Sequence, residues 1–141
     1  MLVRLMYASR AAADAGPDAL AAIIRQSRAG NPANGVTGVL CHAQGLYLQV
    51  LEGGRGAVNA LYNRIAADPR HSQVELLSYG EIGERRFAGW AMGQVDLARL
   101  NPSLLLKYAE TTTLNPYAMT GAASLALFED LMATASIVCS P

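Results

Sequence analysis

The sequence predicts an α+β fold, a five-stranded mixed sheet with two helices on one face and two C-terminal helices on the other. Short apolar strand patterns alternate with two segments in which apolar residues recur at the spacing of an amphipathic helix. Helices that alternate with strands favour a mixed sheet with both helices packed on one face. The order β-α-β-β-α-β-β is the ferredoxin-like arrangement with one additional strand.

The strands are recognised by apolar, β-branched and aromatic residues between turn signals. Ala43-Gln44-Gly45 is a hairpin-length break between the second and third strands. The five strands are predicted at residues 2–9, 35–42, 46–52, 73–82 and 87–95.

The two helices have both periodicity and end signals. The first follows Gly16-Pro17-Asp18, with proline at an early helical position, and is expected to end at Gly30 because Pro32 opposes its continuation. The second follows a glycine-rich turn and ends at Asp68-Pro69. Their apolar faces consist of Leu20, Ile23, Ile24 and Ser27 in the first helix, and Val58, Leu61, Tyr62 and Ile65 in the second.

The C-terminal part is predicted to cover the second face of the sheet. A short helix begins at Asn101-Pro102, a loop occupies residues 111–117, and a last helix runs from Gly121 to about Ala135. Residues 1–96 are expected to form the main domain, and residues 97–141 a helical cap of the same globular unit. Because an apolar sheet face should be covered, the cap is expected to contact the strand side chains that alternate with Tyr7 and Gln49.

Composition excludes several classes of function. The 11 basic and 11 acidic residues balance, which gives no electrostatic basis for binding nucleic acid or an anionic membrane. Cys41 and Cys139 form no CxxC or zinc pattern, so a reduced, cytoplasmic chain is expected. The N-terminus begins with a strand pattern rather than a signal peptide, and no apolar stretch predicts a membrane span.

Motifs for metal binding or catalysis are weak. His42 and His71 have no second ligand three or four residues away, so a metal site is not expected. Residues 53–56, Gly-Gly-Arg-Gly, lie where a phosphate loop would lie but lack the Walker spacing and its lysine, and favour a plain tight turn. No serine lies in a G-x-S-x-G motif, and no enzyme activity is expected.

Two polar residues on apolar strands are more informative. Tyr7 and Gln49 each share a strand face with apolar neighbours. A buried amide is costly unless it is hydrogen-bonded, so Gln49 requires a polar partner. From the residues alone, that partner could be solvent at a sheet edge or another side chain, and a strand tyrosine could be an ordinary core residue.

Other polar or aromatic residues have ordinary explanations as well. Asn31 follows a predicted helix end, where asparagine is common as a cap. Arg64 and Asp68 are four residues apart and could form a surface ion pair. Trp90 and Met92 share one face of the predicted fifth strand and would normally belong to the core.

Taken together, five segments resemble the BLUF domain in order and spacing. They cover about residues 1–96, and the tail resembles the short stand-alone BLUF proteins with two C-terminal helices. The segments are LMYAS at 5–9, NPANGVTGVL at 31–40, LQVLEG at 48–53, DPRH at 68–71 and RFAGWAM at 86–92.

The resemblance implies a non-covalent flavin between the two helices, FAD in the first place, with FMN or riboflavin as alternatives. Ile23 and Ile65 match positions that sandwich the ring, and Asn31 matches the residue that pairs with its carbonyl and imide edge. Gln49 matches the glutamine beside the flavin C4 carbonyl and N5, and Tyr7 matches the tyrosine that hydrogen-bonds this glutamine.

The same resemblance implies roles for further residues. Arg64, Asp68, Arg70 and His71 match positions around the polar edge and the ribityl-phosphate arm. Ser27 on the first helix belongs to the same cofactor-binding set. Trp90 and Met92 match the strand-five pair that couples the site to the sheet. The sequence departs from relatives at Gly30, where a second polar side chain is common, so flavin affinity is expected to be weaker.

The function implied is blue-light sensing, in which light rearranges the Tyr7 and Gln49 hydrogen bonds and the change reaches a protein–protein interface. A homo-oligomer and a downstream protein partner of unknown identity are expected. The residues themselves leave open an acylphosphatase-like hydrolase or a ligand-binding module on the same fold, and a structural dimerisation module.

Overall fold

A computed structural model describes residues 1–14, 16, 18–134 and 136–137 of the chain. The strands are β1 (Leu2–Ala11), β2 (Thr37–Ala43), β3 (Leu46–Gly54), β4 (His71–Ile82) and β5 (Gly93–Asp96). The helices are α1 (Ala19–Asn34), α2 (Arg55–Ala67), α3 (Ser103–Leu106) and α4 (Gly121–Ala133), with short 3-10 turns at Leu97–Arg99 and Pro116–Ala118.

The strands form one five-stranded sheet in the order β4-β1-β3-β2-β5. β1 lies antiparallel to both β3 and β4, β2 lies antiparallel to β3, and β5 adds to β2 in parallel. The predicted mixed sheet and the ferredoxin-like order with one additional strand are confirmed.

Strict alternation along the central strands divides the core between the two faces of the sheet. One cluster lies under α1 and α2 and includes Tyr7, Ile23 and Leu51. The other lies under α3 and α4 and includes Leu48 and Phe128. The predicted placement of the C-terminal helices on the second face is therefore confirmed.

Helix α1 ends later than predicted. It continues through Gly30 and Pro32 to Asn34 and is closed by Gly35, whose φ of 67° is left-handed and whose N–H caps the last turn. A proline in the last turn removes only one intrahelical hydrogen bond, and here this loss does not end the helix. Asn31 consequently lies inside the last turn rather than after it, and is buried. Pro17, placed in the first turn by the sequence, lies outside the described residues, and the N-cap is Asp18.

The fifth strand is much shorter than predicted. Residues 87–92 form turns and bends, and only Gly93–Asp96 pairs with β2. Trp90 packs against the α4-side cluster, whereas Met92 is buried in the α1/α2-side cluster. The expectation that Trp90 and Met92 share one strand face is therefore wrong, since the chain passes from one side of the sheet to the other between them.

The predicted glycine turn at residues 53–56 is also absent. Gly53 and Gly54 are the last residues of β3, and α2 begins directly at Arg55. Gly53 approaches its neighbours closely, since a Cβ there would lie 3.0 Å from the Gly35 carbonyl oxygen.

Cys41 is buried in the α4-side core, while Cys139 lies outside the described residues. In the described part of the chain, no helix combines the length and the apolar character that crossing a bilayer requires. Nor do the described histidines, cysteines and carboxylates form a cluster of three that could hold a metal ion.

The packing of α4 on the sheet predicts that shortening the side chain of Phe128 lowers stability much more than shortening that of Leu106. Phe128 is fully buried, and its ring meets the Phe87 ring edge-to-face at 5.9 Å. Phe128→Ala should lower the free energy of unfolding by about 3–5 kcal/mol, measured by urea denaturation. Leu106→Ala, at a residue that is 55% exposed, is the control and should change it by less than about 1 kcal/mol. Equal effects of the two substitutions would contradict the packing of α4 on the sheet.

Candidate functional site

One cavity lies between α1, α2 and the sheet, with a volume of about 220 Å³. The structure places all ten predicted cofactor-binding residues around it, and their roles toward a ligand remain predictions. The ten are Tyr7, Ile23, Ser27, Asn31, Gln49, Arg64, Ile65, Asp68, Arg70 and His71.

Sequence reasoning missed three residues that also line the cavity, namely Gln26, Asn34 and Leu61. Gln26 is three residues after Ile23 inside the predicted first helix, so helical spacing could have found it. Asn34 could not be found in this way, because the helix was predicted to end at Gly30 and in the structure continues to Asn34. Leu61 was recognised only as part of an apolar helix face.

Tyr7 and Gln49 face each other on adjacent strands at the inner wall of the cavity. The β1–β3 register pairs them directly, and the Tyr7 hydroxyl donates a hydrogen bond to Oε1 of Gln49. The other end of the amide, Nε2, donates to Sδ of Met92 at 3.1 Å. Both ends of the buried amide are therefore satisfied by protein groups.

Tyr7 is a neutral phenol in this setting. The side chain is buried, and this burial raises the pKa of Tyr7 well above its ordinary value of 10.0. Its ring also meets the Tyr62 ring edge-to-face at 5.7 Å. The hydroxyl therefore stays protonated near neutral pH and donates its hydrogen bond to Gln49.

The polar end of the cavity is organised by Arg70. Its Nη2 lies 2.6 Å from Oδ2 of Asp68, and its backbone N–H donates to Oδ1 of the same carboxylate at 2.9 Å. Nη2 also donates to Oε1 of Gln26 at 2.8 Å, which ties the turn before β4 to α1. The hydrogen bonds from Arg70 lower the pKa of Asp68. Asp68 thus pairs with Arg70 rather than with Arg64, the ion pair that helical spacing had suggested.

His71 lies between the tyrosines and this polar end. Its Nδ1 is 3.0 Å from the Ser9 hydroxyl, and its ring meets the Tyr47 ring edge-to-face at 5.5 Å. Burial lowers the pKa of His71, although the nearby Asp68 carboxylate acts in the opposite direction. The imidazole is consequently neutral near pH 7.

The last turn of α1 is joined to the segment that precedes β5. Nδ2 of Asn31 donates to the Ala91 carbonyl at 2.9 Å, and Nε of Arg28 donates to the Met92 carbonyl at 3.1 Å. Of the two predicted coupling residues, Met92 therefore contacts the site through Gln49. Trp90 lies on the opposite side of the sheet.

Fold and cavity define a ferredoxin-like domain with a helix-lined ligand cavity. A family model described as BLUF, sensors of blue-light using FAD, matches residues 2–93, and the chain belongs to this family. BLUF domains bind flavin and sense blue light.

Solved structures and curated proteins agree with this assignment. The chain is similar to BlsA in its photo-activated state, at 30% identity and a TM-score of 0.84, over 94% of this chain and 95% of that one. It is also similar to BlrB, a BLUF protein in its dark state, at 31% identity and a TM-score of 0.78, over 95% of this chain and 96% of that one.

Among curated proteins, a photoactivated adenylate cyclase subunit beta from Euglena gracilis is 39% identical over 84 residues, which are 60% of this chain. The match spans only 10% of that protein.

The buried imidazole makes stability depend on pH in a defined direction. Burial lowers the pKa of His71, and also that of His42, below the ordinary value of 6.5. Below that pH the unfolded chain therefore binds more protons than the folded one, and stability should fall as the pH drops through about 6.5. His71→Gln should flatten this fall, measured as the urea midpoint against pH.

His42→Gln, at the other histidine of the chain, should remove a separate part of the loss of stability at low pH. The double variant should lose both parts. A double variant whose stability falls with pH as steeply as that of the wild type would contradict the assignment of this fall to His71 and His42.

Proposed function

We propose that the protein senses blue light through a non-covalently bound flavin, FAD in the first place, and responds by rearranging the hydrogen bonds of Tyr7 and Gln49. The observation that carries the proposal is a series of two buried hydrogen bonds at the wall of the cavity. They run from the Tyr7 hydroxyl to the Gln49 amide and from this amide to the Met92 sulfur. Membership of the BLUF family supports the cofactor class.

The residues around the cavity fit a flavin ring. Ile23 on α1 and Ile65 on α2 supply apolar side chains from two helices, as a flat aromatic ring requires. Polar amides at Asn31 and Gln49 complement a ring edge that carries both carbonyls and an N–H. The cavity of about 220 Å³ is smaller than the roughly 300–1,000 Å³ of most ligand pockets, so it suits the ring rather than a whole dinucleotide.

The charged rim suits the remainder of the cofactor. Arg64 is exposed, and Arg70 is held in place by Asp68 and Gln26. Guanidinium groups bind phosphate oxygens well, so these two residues are assigned to the phosphate-bearing arm. Asp68 and His71 are assigned to the polar edge, with Asp68 fixing the orientation of Arg70. Ser27 donates a hydrogen bond from its hydroxyl to the Ile23 carbonyl at 2.9 Å and is one of the residues that line the cavity.

When bound, the flavin supplies blue-light absorption and an excited state that accepts an electron. The Tyr7 phenol would be the electron donor in this scheme, and its hydrogen bond to Oε1 of Gln49 would give the phenolic proton an acceptor. Gln49 carries a donor and an acceptor on one small group. Rotation or tautomerisation of this amide exchanges the end that faces the cavity, and the sulfur of Met92 is a weak acceptor that the amide can leave at low cost.

The output is proposed to be a protein–protein contact. Helices α3 and α4 pack on the sheet face opposite the cavity. The change at Gln49 is proposed to reach these helices and alter an interface with a second copy or with another protein. The hydrolase alternative loses its main support, since Gly53 and Gly54 belong to β3 and form no phosphate loop.

An absorption spectrum before and after illumination tests the proposal. The purified protein should be yellow, and its visible band should shift slightly to longer wavelength under blue light and recover in the dark. A colourless preparation that cannot be reconstituted with FAD, FMN or riboflavin would refute the proposal.

Two isosteric substitutions should separate photochemistry from binding. Tyr7→Phe removes only the hydroxyl, and Gln49→Leu removes both polar ends of the amide at similar volume. Both variants should retain flavin, because the ring is held by Ile23, Ile65 and Asn31, and both should lose the normal red shift. Tyr62→Phe, which removes a half-buried hydroxyl beside Tyr7, is the control and should shift normally. A normal photocycle in either test variant would refute the assigned roles.

Asn31 should dominate recognition of the ring edge. Gly30 offers no side chain, and the loss of a buried hydrogen-bond partner costs about 1–3 kcal/mol. Asn31→Ala should therefore weaken flavin binding by roughly tenfold or more in a titration of flavin-free protein. Asn63→Ala, on the exposed side of α2, is the control. Equal affinities of the two variants would show that the edge contact lies elsewhere.

A further inference from the structure

Glu52 is a fully buried carboxylate that the proposed photochemistry does not use. It lies on β3, three residues after Gln49, and points to the opposite face of the sheet. Its side chain is 0% exposed. A buried charge is tolerated only where it is paired and hydrogen-bonded, so the groups that bind Glu52 indicate which part of the structure it stabilises.

The partners of Glu52 are mainly backbone groups of one non-strand segment. Oε1 accepts hydrogen bonds from the N–H of Phe87 at 2.7 Å and from the N–H of Arg86 at 3.0 Å. Oε2 lies 2.9 Å from Nε of Arg4, which supplies the opposite charge. The carboxylate thus satisfies two backbone donors that no strand ladder satisfies.

These two donors begin the segment that passes between the two faces, residues 86–92, here called the crossing segment. On the α4 side, the Phe87 ring meets the Phe128 ring edge-to-face, and Nη1 of Arg86 lies 3.0 Å from Oε1 of Glu129. On the cavity side, the segment ends at Met92, whose sulfur accepts the hydrogen bond from Gln49. The crossing segment therefore contacts both the amide of the site and helix α4.

We propose that Glu52 is a positioning residue, whose buried carboxylate fixes the start of the crossing segment and so holds Met92 against the Gln49 amide. Its importance for signalling rests on the proposed function, whereas the clamp itself is a property of the protein in the dark. Without the clamp, the Met92 sulfur is held less firmly, and the Gln49 amide changes its partner more easily.

The first test is amide hydrogen exchange of the wild-type protein in the dark, followed residue by residue by NMR. The amides of Arg86 and Phe87 should be protected as strongly as those of β3, although they lie outside any strand. Exchange at the rate of an exposed loop would overturn the proposal without any substitution, and this measurement needs no photochemistry.

The second test compares Glu52→Gln with Glu81→Gln. Both substitutions remove one negative charge, but Glu81, on β4, is exposed and forms its ion pair with Arg55 at the surface. Glu52→Gln replaces one carboxylate oxygen with an NH₂ group, which cannot accept a hydrogen bond from the surrounding donors. Amide exchange at Arg86 and Phe87 should therefore accelerate on the order of tenfold or more. Glu81→Gln should leave it unchanged. Equal exchange in both variants would overturn the clamp.

Recovery from the lit state separates positioning from simple structural support. In the FAD-loaded protein, Glu52→Gln should return to the dark spectrum several-fold faster than Glu81→Gln, because Met92 restrains Gln49 less. Faster exchange with unchanged recovery would limit Glu52 to structural support and overturn the positioning role. A wild-type protein without any light-induced shift would instead refute the proposed function, while the dark exchange data would still decide on the clamp.

Discussion

The hydrogen bond from Tyr7 to Gln49 depends on the pairing of β1 with β3, because the antiparallel register sets the two residues directly opposite each other. Their alternating neighbours fill the core under α1 and α2, and this core keeps the phenol neutral and the amide away from water. In a buried setting both ends of an amide must find partners, so the sulfur of Met92 completes the arrangement. The contacts of these three groups are therefore linked, and a change of partner at Gln49 alters the hydrogen bonds of both Tyr7 and Met92.

The sheet separates the cavity from the C-terminal helices, so any signal must cross it or pass around its end. The crossing segment does this with backbone rather than with a strand, from Phe87 beside α4 to Met92 beside Gln49. It is fixed at its start by Glu52, and near its end by Asn31, which binds the Ala91 carbonyl at 2.9 Å. The same asparagine lines the cavity, so the proposed ligand contact and the proposed output path share a residue.

Sequence patterns predicted most of the fold, because the spacing of apolar residues in strands and helices reflects which side chains are buried. This spacing is clear in β1, β3 and α2. They failed where long-range contacts outweighed local signals. Pro32 did not end α1, whose last turn is tied to Ala91 far along the chain. The apolar run at residues 87–92 was predicted as strand, but Glu52 binds its first amides and diverts it from the ladder. The cavity residues came from family resemblance, because no local pattern distinguishes Gln49 from an ordinary buried amide.

The central claim concerns the amide of Gln49, and NMR of glutamine side chains tests it most directly. With ¹⁵N-labelled glutamine, the side-chain amide signals of Gln49 should change between dark and illuminated protein together with the visible band. Those of Gln44, in the turn between β2 and β3, should not change. The account would be contradicted if the visible band shifted fully while the Gln49 amide signals stayed where they were in the dark.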